Sequence, residues 1–332
     1  MTNLAIIIPA YKTSFFEKAL HSLASQTNKN FNVYIGDDCS PENLYPIIEK
    51  FNSLLNIYYK KFDFNIGSKN LVNQWSRCID LSRHEKWLWL FSDDDIADEN
   101  CVENFLKLAD KNGDRFDVYR FNVTVIDGDS RIVKNTPEGP LEETSEEMAY
   151  HLLRDERGNS MPDHIFSREV YKKNGFVYTE YAQGADWATS ILFSAAKGIA
   201  IIPGARVYWR LSGANISGSG SKHRNMMLPG HLQFIKWLLK HFAYLKCSAS
   251  GITYDMIRQA ARVNLRNVIL YHYKGFTIAG FFSVTQVMRK NLQLTYQEMT
   301  SDIYFIHSRT NKMVIGAIKV KILLKKILPA LV

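Results

Sequence analysis

Three consecutive carboxylates, Asp93, Asp94 and Asp95, close the apolar run Trp87-Leu88-Trp89-Leu90-Phe91-Ser92. An aromatic and aliphatic run bounded by turn residues predicts a buried strand of a parallel sheet. Acids at its C-terminal tip stand where open α/β sheets bind ligands. Three like charges so close repel, and a divalent cation that prefers oxygen, Mg²⁺ or Mn²⁺, would compensate them. The competing reading is a solvated acidic turn in which Asp95 or Asp98 caps the next helix. Two further strand tips carry groups of the same kind: Pro9-Ala10-Tyr11 and Asp37-Asp38. In a parallel sheet the three tips share one edge. Asp37-Asp38-Cys39-Ser40-Pro41 also reads as a helix-capping region.

The elements that must position these residues alternate between strand-like and helix-like patterns up to about residue 130, as βαβ units do. Strands are predicted at 4–8, 31–35, 57–60, 87–91 and 116–125. Helices are predicted at 15–26, 44–54, 71–81 and 101–109, the first with Phe16, Ala19, Leu20 and Leu23 on one stripe. Residues 127–139 are rich in turn formers, and 140–220 carry mixed signals. The Gly/Ser-rich run at 212–221 suits neither helix nor strand; it reads as a lid, an anion-cradling loop or a flexible linker. Helical periodicity returns at 231–245 and 254–273. The last stretch, 312–332, holds five lysines and no acid. Lys312, Lys319 and Lys326 recur every seven residues on one helical face, which suits either an anionic membrane surface or packing on the domain.

The chain has 332 residues, 46% of them hydrophobic and 22% charged, enough for a substantial core and one or two domains. Its net charge of +8 fits nucleic acid, an anionic membrane or phosphorylated substrates. Nucleic acid is disfavoured: no recognised motif is present, and the positive charge is concentrated late in the chain. The four cysteines show no metal-binding spacing and are expected as free thiols in a reducing cytoplasm. No signal peptide is expected ahead of residues 4–8. No apolar run reaches the length of a membrane span, and the longest, at 191–203, is broken by Lys197.

Taken together, Ile6-Ile7-Ile8-Pro9-Ala10-Tyr11, Ser22-Leu23-Ala24-Ser25-Gln26-Thr27, Tyr34-Ile35-Gly36-Asp37-Asp38-Cys39-Ser40, Asn65-Ile66-Gly67 with Asn73, and Leu90-Phe91-Ser92-Asp93-Asp94-Asp95 resemble, in order and spacing, the inverting family 2 glycosyltransferases. The resemblance covers roughly residues 3–220. It implies an α/β GT-A fold, Rossmann-like, with a mostly parallel sheet flanked by helices. Residues 1–225 would form the donor-binding and catalytic domain, and 226–332 a largely helical extension, its basic end suited either to a membrane surface or to packing on the domain. It further implies a nucleotide-sugar donor, a UDP-sugar, and a saccharide or lipid-linked acceptor in surface polysaccharide synthesis. The enzyme would be cytoplasmic, on the inner face of the membrane.

Carried over by residue, Pro9, Ala10 and Tyr11 would line the nucleobase pocket. Asp38 would accept the imide N–H of the base, a role that suits a group that only accepts. Gly67 would lie against the donor, and Asp93 would approach the ribose. Asp94, supported by Asp95, would hold Mn²⁺ or Mg²⁺ at the diphosphate. Val72 stands where the family often has an arginine, so Lys69 and Arg210 are the cations expected at the phosphates. In Gln183-Gly184-Ala185-Asp186-Trp187, Asp186 matches the family's general base, Ala185 replaces its usual glutamate, and Trp187 would stack on the acceptor sugar. Asp186 also reads as a helix N-cap. Ser212 replaces a histidine frequent in relatives, with His223 as a substitute metal ligand. The alternatives are a catalytically inactive sugar-nucleotide-binding module, a sugar nucleotidyltransferase and, more remotely, a nucleic-acid-binding protein.

Overall fold

The structure, a computed structural model, describes residues 3–212, 224–272, 288–290 and 292–310. The first four apolar runs become β1 (Leu4–Ala10), β2 (Phe31–Asp37), β3 (Ile57–Lys61) and β4 (Trp87–Leu90). All four are parallel, with β1 between β2 and β4. β1 and β4 are buried along almost their whole length, which explains why their sequences are apolar without alternation. The pairing of Ala10 with Asp37 and of Ile7 with Leu90 brings the three tips to one edge of the sheet.

The crossovers are α1 (Phe16–Ala24), α2 (Tyr45–Glu49) and α3 (Leu71–Ile79), and α4 (Cys101–Asn112) follows β4. The predicted stripe of α1 is buried under the sheet. Helix α2 is shorter than predicted and gives way to turns from Lys50. At the start of α3 the Asn70 side chain accepts the Asn73 N–H at 3.0 Å. Asp98 does not cap α4: its carboxylate accepts from the Arg206 N–H at 2.9 Å and the Tyr208 hydroxyl at 2.9 Å.

Within the stretch of mixed signals, the described residues up to 212 form strands and helices, and they make the sheet mixed. β6 (Val118–Ile126) and β10 (Ile199–Arg210) run parallel to each other. β9 (His164–Ser167) is inserted between β4 and β6 and runs against both. Short antiparallel pieces, β5 (Ile96–Ala97), β7 (Ile132–Asn135) and β8 (Glu142–Glu143), complete the ten-stranded sheet. The main path is β3-β2-β1-β4-β9-β6-β10-β5. Three helices belong to this half: α5 (Ser145–Leu153), opened by a Thr144/Glu147 capping box, α6 (Arg168–Asn174) and α7 (Ala185–Ser194). Strands of two to four residues and a β10 whose register shifts between Ile201 and Arg206 leave little periodicity to read.

Helices α8 (Arg224–His241) and α9 (Tyr254–His272), with a further helix at Tyr296–Thr310, form the C-terminal part. The domain boundary expected at residue 225 falls in the first turn of α8. Leu153 of α5 and Ile191 of α7 share one buried cluster with Phe234 and Leu238 of α8 and Ile257 and Leu265 of α9. The helices therefore pack directly onto the end of the sheet layer. Arg262 joins α9 to the last helix through Asp302 at 2.7 Å. The Gly/Ser-rich run from residue 213, His223 and the lysine-bearing stretch 312–332 lie outside the described residues. Among the described residues, no helix is long and apolar enough to cross a membrane.

Candidate active site

A cleft of about 700 Å³ opens along the edge where the strand tips meet. One wall comes from the tips of β1, β2 and β4 and holds Pro9, Tyr11, Lys12, Asp38 and the Asp93–Asp95 turn. The opposite wall comes from the loop before β9, the segment before α7, and α8.

The acidic turn divides its work. Asp93 accepts the Tyr11 and Lys12 N–H groups at 2.8 and 3.0 Å, so it ties β4 to the tip of β1. Burial and the neighbouring Asp94 push its carboxyl up to about 6, against the pull of those two N–H groups. Asp95 is 1% exposed and accepts the Arg210 N–H at 2.8 Å. Burial, with Asp94 next, raises it well above the usual carboxylate range. Asp94 accepts from the Ser92 hydroxyl at 2.5 Å and, like the other two, borders the cleft. Neither Asp95 nor Asp98 serves as a helix cap, so the turn is not a capping device.

Burial first, and the neighbouring Asp94 second, raise Asp93 and Asp95, so the turn gathers carboxylates that a cation would compensate. Among the described residues, no group of three or more His, Cys, Asp or Glu side chains forms a closed metal site. The donor set instead fits Mg²⁺ or Mn²⁺ held by one or two carboxylates together with substrate phosphates. Asp94, with Asp95 beside it, would be the protein's share.

Arg210 is placed otherwise than the sequence suggested. It is fully buried, and its Nε donates to the Asp94 carbonyl at 2.7 Å. One terminal nitrogen donates to the Asp127 carbonyl at 2.8 Å and the Ser130 hydroxyl at 3.0 Å, and the guanidinium covers the Phe15 ring at 4.4 Å. Arg210 thus braces the acidic turn from beneath and is absent from the cleft lining. Lys69 is exposed and also outside the lining. The lysine that does border the cleft is Lys12, directly after Tyr11. Ala10 is buried behind the wall, where its carbonyl accepts the Asp38 N–H at 2.9 Å.

Asp38 is 4% exposed and is surrounded by donors. One oxygen accepts from the Ile66 N–H at 2.9 Å and from Arg77; the other accepts from the Asn65 amide at 2.9 Å and the Gly67 N–H at 2.8 Å. A Cβ on Gly67 would lie 2.5 Å from that second oxygen, so only glycine allows this approach. Arg77 also faces the Phe62 ring at 3.8 Å. The sequence reading missed Arg77, although it lies one helical turn past Asn73 and Gln74, on a helix opened by Asn70.

Asp186 stands at the second position of α7, just after the left-handed Gly184 (φ 71°). Its carboxylate accepts the Trp187 N–H at 3.0 Å and borders the same cleft as Asp94. A helix N-terminus favours a carboxylate, yet burial prevails and pushes it up to about 6. Behind it, Asp163 is fully buried between Arg120, 3.1 Å from its carboxylate, and His164 at 3.2 Å. Burial pushes Asp163 up, but His164 and Arg120 outweigh it and hold the group below the usual range.

Trp187 borders the cleft and packs edge-on against Phe234 of α8, with ring centres 5.7 Å apart. Trp75, Trp209, Tyr181 and His231 join it in the lining. None of these four was identified from sequence; they come from separate parts of the chain, and no local pattern unites them. Tyr181 and Ala182 both adopt left-handed backbone, φ 54° and 53°. Each such non-glycine residue costs roughly 1–2 kcal/mol.

A sequence profile described as Glycosyl transferase family 2 matches residues 5–177. Poly(ribitol-phosphate) beta-N-acetylglucosaminyltransferase TarS of Staphylococcus aureus, in strains Mu50 and MW2, is 24% identical over 191 residues. That match takes in 56% of this chain and 31% of that protein, so the chain corresponds to less than a third of the relative's length. Among solved structures, residues 1–349 of S. aureus TarS superpose with a TM-score of 0.63 at 15% identity, covering 96% of this chain and 92% of that one. The same protein in complex with UDP-GlcNAc gives 0.60 at 15% identity, over 94% and 82%. GalNAc-T7 with UDP, GalNAc and Mn²⁺ gives 0.54 at 12% identity, over 92% and 57%. At these identities the structural likeness is one of fold.

Proposed function

The chain belongs to glycosyl transferase family 2 and has the GT-A fold, and from that premise we propose that it transfers a sugar, with inversion, from a UDP-sugar to a hydroxyl of a saccharide or lipid-linked saccharide. The observation that carries this reading is the cleft itself, where the acidic strand tip at Asp94 and the basic carboxylate of Asp186 border one cavity from different walls.

In this reading Pro9 and Tyr11 flank the nucleobase. Asp38, held by Arg77 and the Asn65–Gly67 turn, gives that end of the cleft its polar contacts. Asp93 fixes the Tyr11–Lys12 backbone at the ribose end, and Lys12 supplies positive charge near the diphosphate, the part earlier assigned to Lys69 and Arg210. Asp94 and Asp95 would hold a divalent cation, which would neutralise charge on the departing diphosphate. Asp186 accepts the proton of the acceptor hydroxyl as that oxygen bonds to the anomeric carbon and the bond from that carbon to the diphosphate breaks. A carboxylate raised to about 6 is a stronger base than an ordinary aspartate and is still ionised at neutral pH. Trp187, with Tyr181 and Trp209 in the same lining, offers ring faces to the acceptor sugar.

We take 1–225 as the donor-binding and catalytic unit and 226–332 as the helical region that backs the acceptor wall. The five lysines of 312–332 support attachment to an anionic membrane surface, which loss of vesicle binding on truncation at residue 311 would bear out. UDP-GlcNAc is the first donor to test, because TarS has been crystallised with it. A panel of UDP- and dTDP-sugars is screened for thermal stabilisation with Mn²⁺, and stabilising donors are then assayed for transfer. Stabilisation by a UDP-sugar in the presence of Mn²⁺ is expected; indifference to every nucleotide-sugar would refute the reading.

A further inference from the structure

The segment just before Asp186 is strained and is held from one side by one helix. Tyr181, Ala182 and Gly184 are left-handed, three residues out of four. The segment closes on itself and on α7: the Thr179 hydroxyl donates to the Gln183 carbonyl at 2.9 Å, and the Gly184 carbonyl accepts the Ala188 N–H at 2.9 Å. Such a conformation persists only where its surroundings impose it.

Helix α8 imposes it through Gly230, Gln233 and Phe234, spaced three and four residues apart and therefore on one face. The Gln233 side chain accepts the Glu180 N–H at 2.8 Å and donates to the Glu180 carboxylate at 2.9 Å. Gly230 lies so close that a Cβ there would come within 2.0 Å of the Glu180 carbonyl oxygen. Phe234 fills the space beside Gly184, where a Cβ would meet its ring at 2.7 Å, and it packs against Trp187.

We propose that Gln233, with Gly230, is a positioning residue for sugar transfer: α8 holds the left-handed turn Tyr181–Gly184, and that turn sets Asp186 and the acceptor wall. The inference rests on the reading of Asp186 as the general base. Misplacing a reacting group by about 1 Å costs up to 10²-fold in rate, so a loosened turn is expected to lower turnover without loss of the donor site, which is built on other strands.

The test uses Gln233→Glu, which keeps an acceptor for the Glu180 N–H but sets a second carboxylate against Glu180. The paired change Glu180→Gln with Gln233→Glu restores a donor and an acceptor in swapped positions. For the single variant the expectation is a fall in kcat of about tenfold or more, a raised KM for acceptor, and unchanged UDP affinity by calorimetry. The paired variant is expected to recover most of the turnover. A lower Tm with kcat and acceptor KM unchanged would make Gln233 merely structural and overturn the proposal, as would a folded paired variant that recovers nothing. Asp186→Asn is assayed alongside. If it keeps full turnover, the base assignment itself fails; if it loses turnover while Gln233→Glu keeps it, only the positioning role fails.

Discussion

The backbone N–H of Arg210 donates to the Asp95 carboxylate at 2.8 Å, while the side chain of the same arginine donates to the Asp94 carbonyl at 2.7 Å. One residue at the end of β10 thus fixes both the backbone and a side chain of the acidic turn. Replacing Arg210 with Met keeps the backbone bond and removes the side-chain bonds to Asp94, Asp127 and Ser130. Breaking a buried, hydrogen-bonded charge site of this kind costs about 3–5 kcal/mol. Arg210→Met is expected to lower Tm by several degrees and to weaken donor binding together with stability. A variant with wild-type Tm would show that the turn stands without its brace.

Asp94→Ala should abolish the part of UDP-sugar binding that depends on cation. Its readout is the Tm gain given by UDP-GlcNAc with and without Mn²⁺, which should differ in the wild type and coincide in the variant. Transfer should fall by about 10² or more. Because Asp94 helps to push Asp93 and Asp95 upward, the ligand-free variant should be no less stable than the wild type at neutral pH.

Asp186→Asn should separate stability from activity. The folded carboxyl stands at about 6 against an ordinary 3.8. The folded state therefore holds this proton more tightly than the unfolded chain does. That contribution to stability is complete below the ordinary value and lost as pH rises through about 6. At pH 8 the ionised group opposes folding, and the neutral amide should stabilise by up to about 3 kcal/mol, a gain of several degrees in Tm. Turnover should drop by about 10² or more, with UDP affinity unchanged.

The same shift predicts the pH profile. The kcat/KM for the acceptor should fall tenfold per unit below about pH 6, because a protonated Asp186 cannot accept the hydroxyl proton. A flat profile down to pH 5 would remove Asp186 from the rate-determining proton transfer.

Arg77→Leu should leave Asp38 with its three uncharged donors and loosen the Asn65–Gly67 turn. UDP affinity is expected to fall by about tenfold, and a double-mutant cycle with Asp38→Asn should give a coupling of roughly 1–3 kcal/mol. Additive effects in that cycle would separate the two residues.

The strand-tip wall of the cleft was legible because its signals are local. β1, β2 and β4 are continuous apolar runs, and their polar tips stand at fixed ends, so the sequence places Asp38, Asp93 and Asp94 on one edge. Asp186 was singled out through its resemblance to a motif, with Trp187 beside it, and both border the cleft. What stayed hidden depends on contacts between distant segments. Arg210 looked like a free cation and is a brace, because only β10's pairing beside Asp95 shows where its side chain goes. Arg77 looked like an ordinary helix arginine until the Asn65–Gly67 turn folded over Asp38. The four-residue β9 carries no readable period, and its reversal is a property of the whole sheet.

That reversal has a consequence for how the enzyme can change. Since β9 runs against β4, its beginning, not its end, lies beside the acidic tip, and Asn159–Pro162 enter the cleft from the side opposite β1 and β2. On the proposed reading the two substrates meet different stretches of chain: the donor mostly residues before about 100, with Arg210 as a brace from the end of β10, and the acceptor residues between Asn159 and Trp187. Insertions or exchanges between Asn159 and Trp187 would then be expected to change the acceptor while the strand tips and the Arg210 brace stay in place.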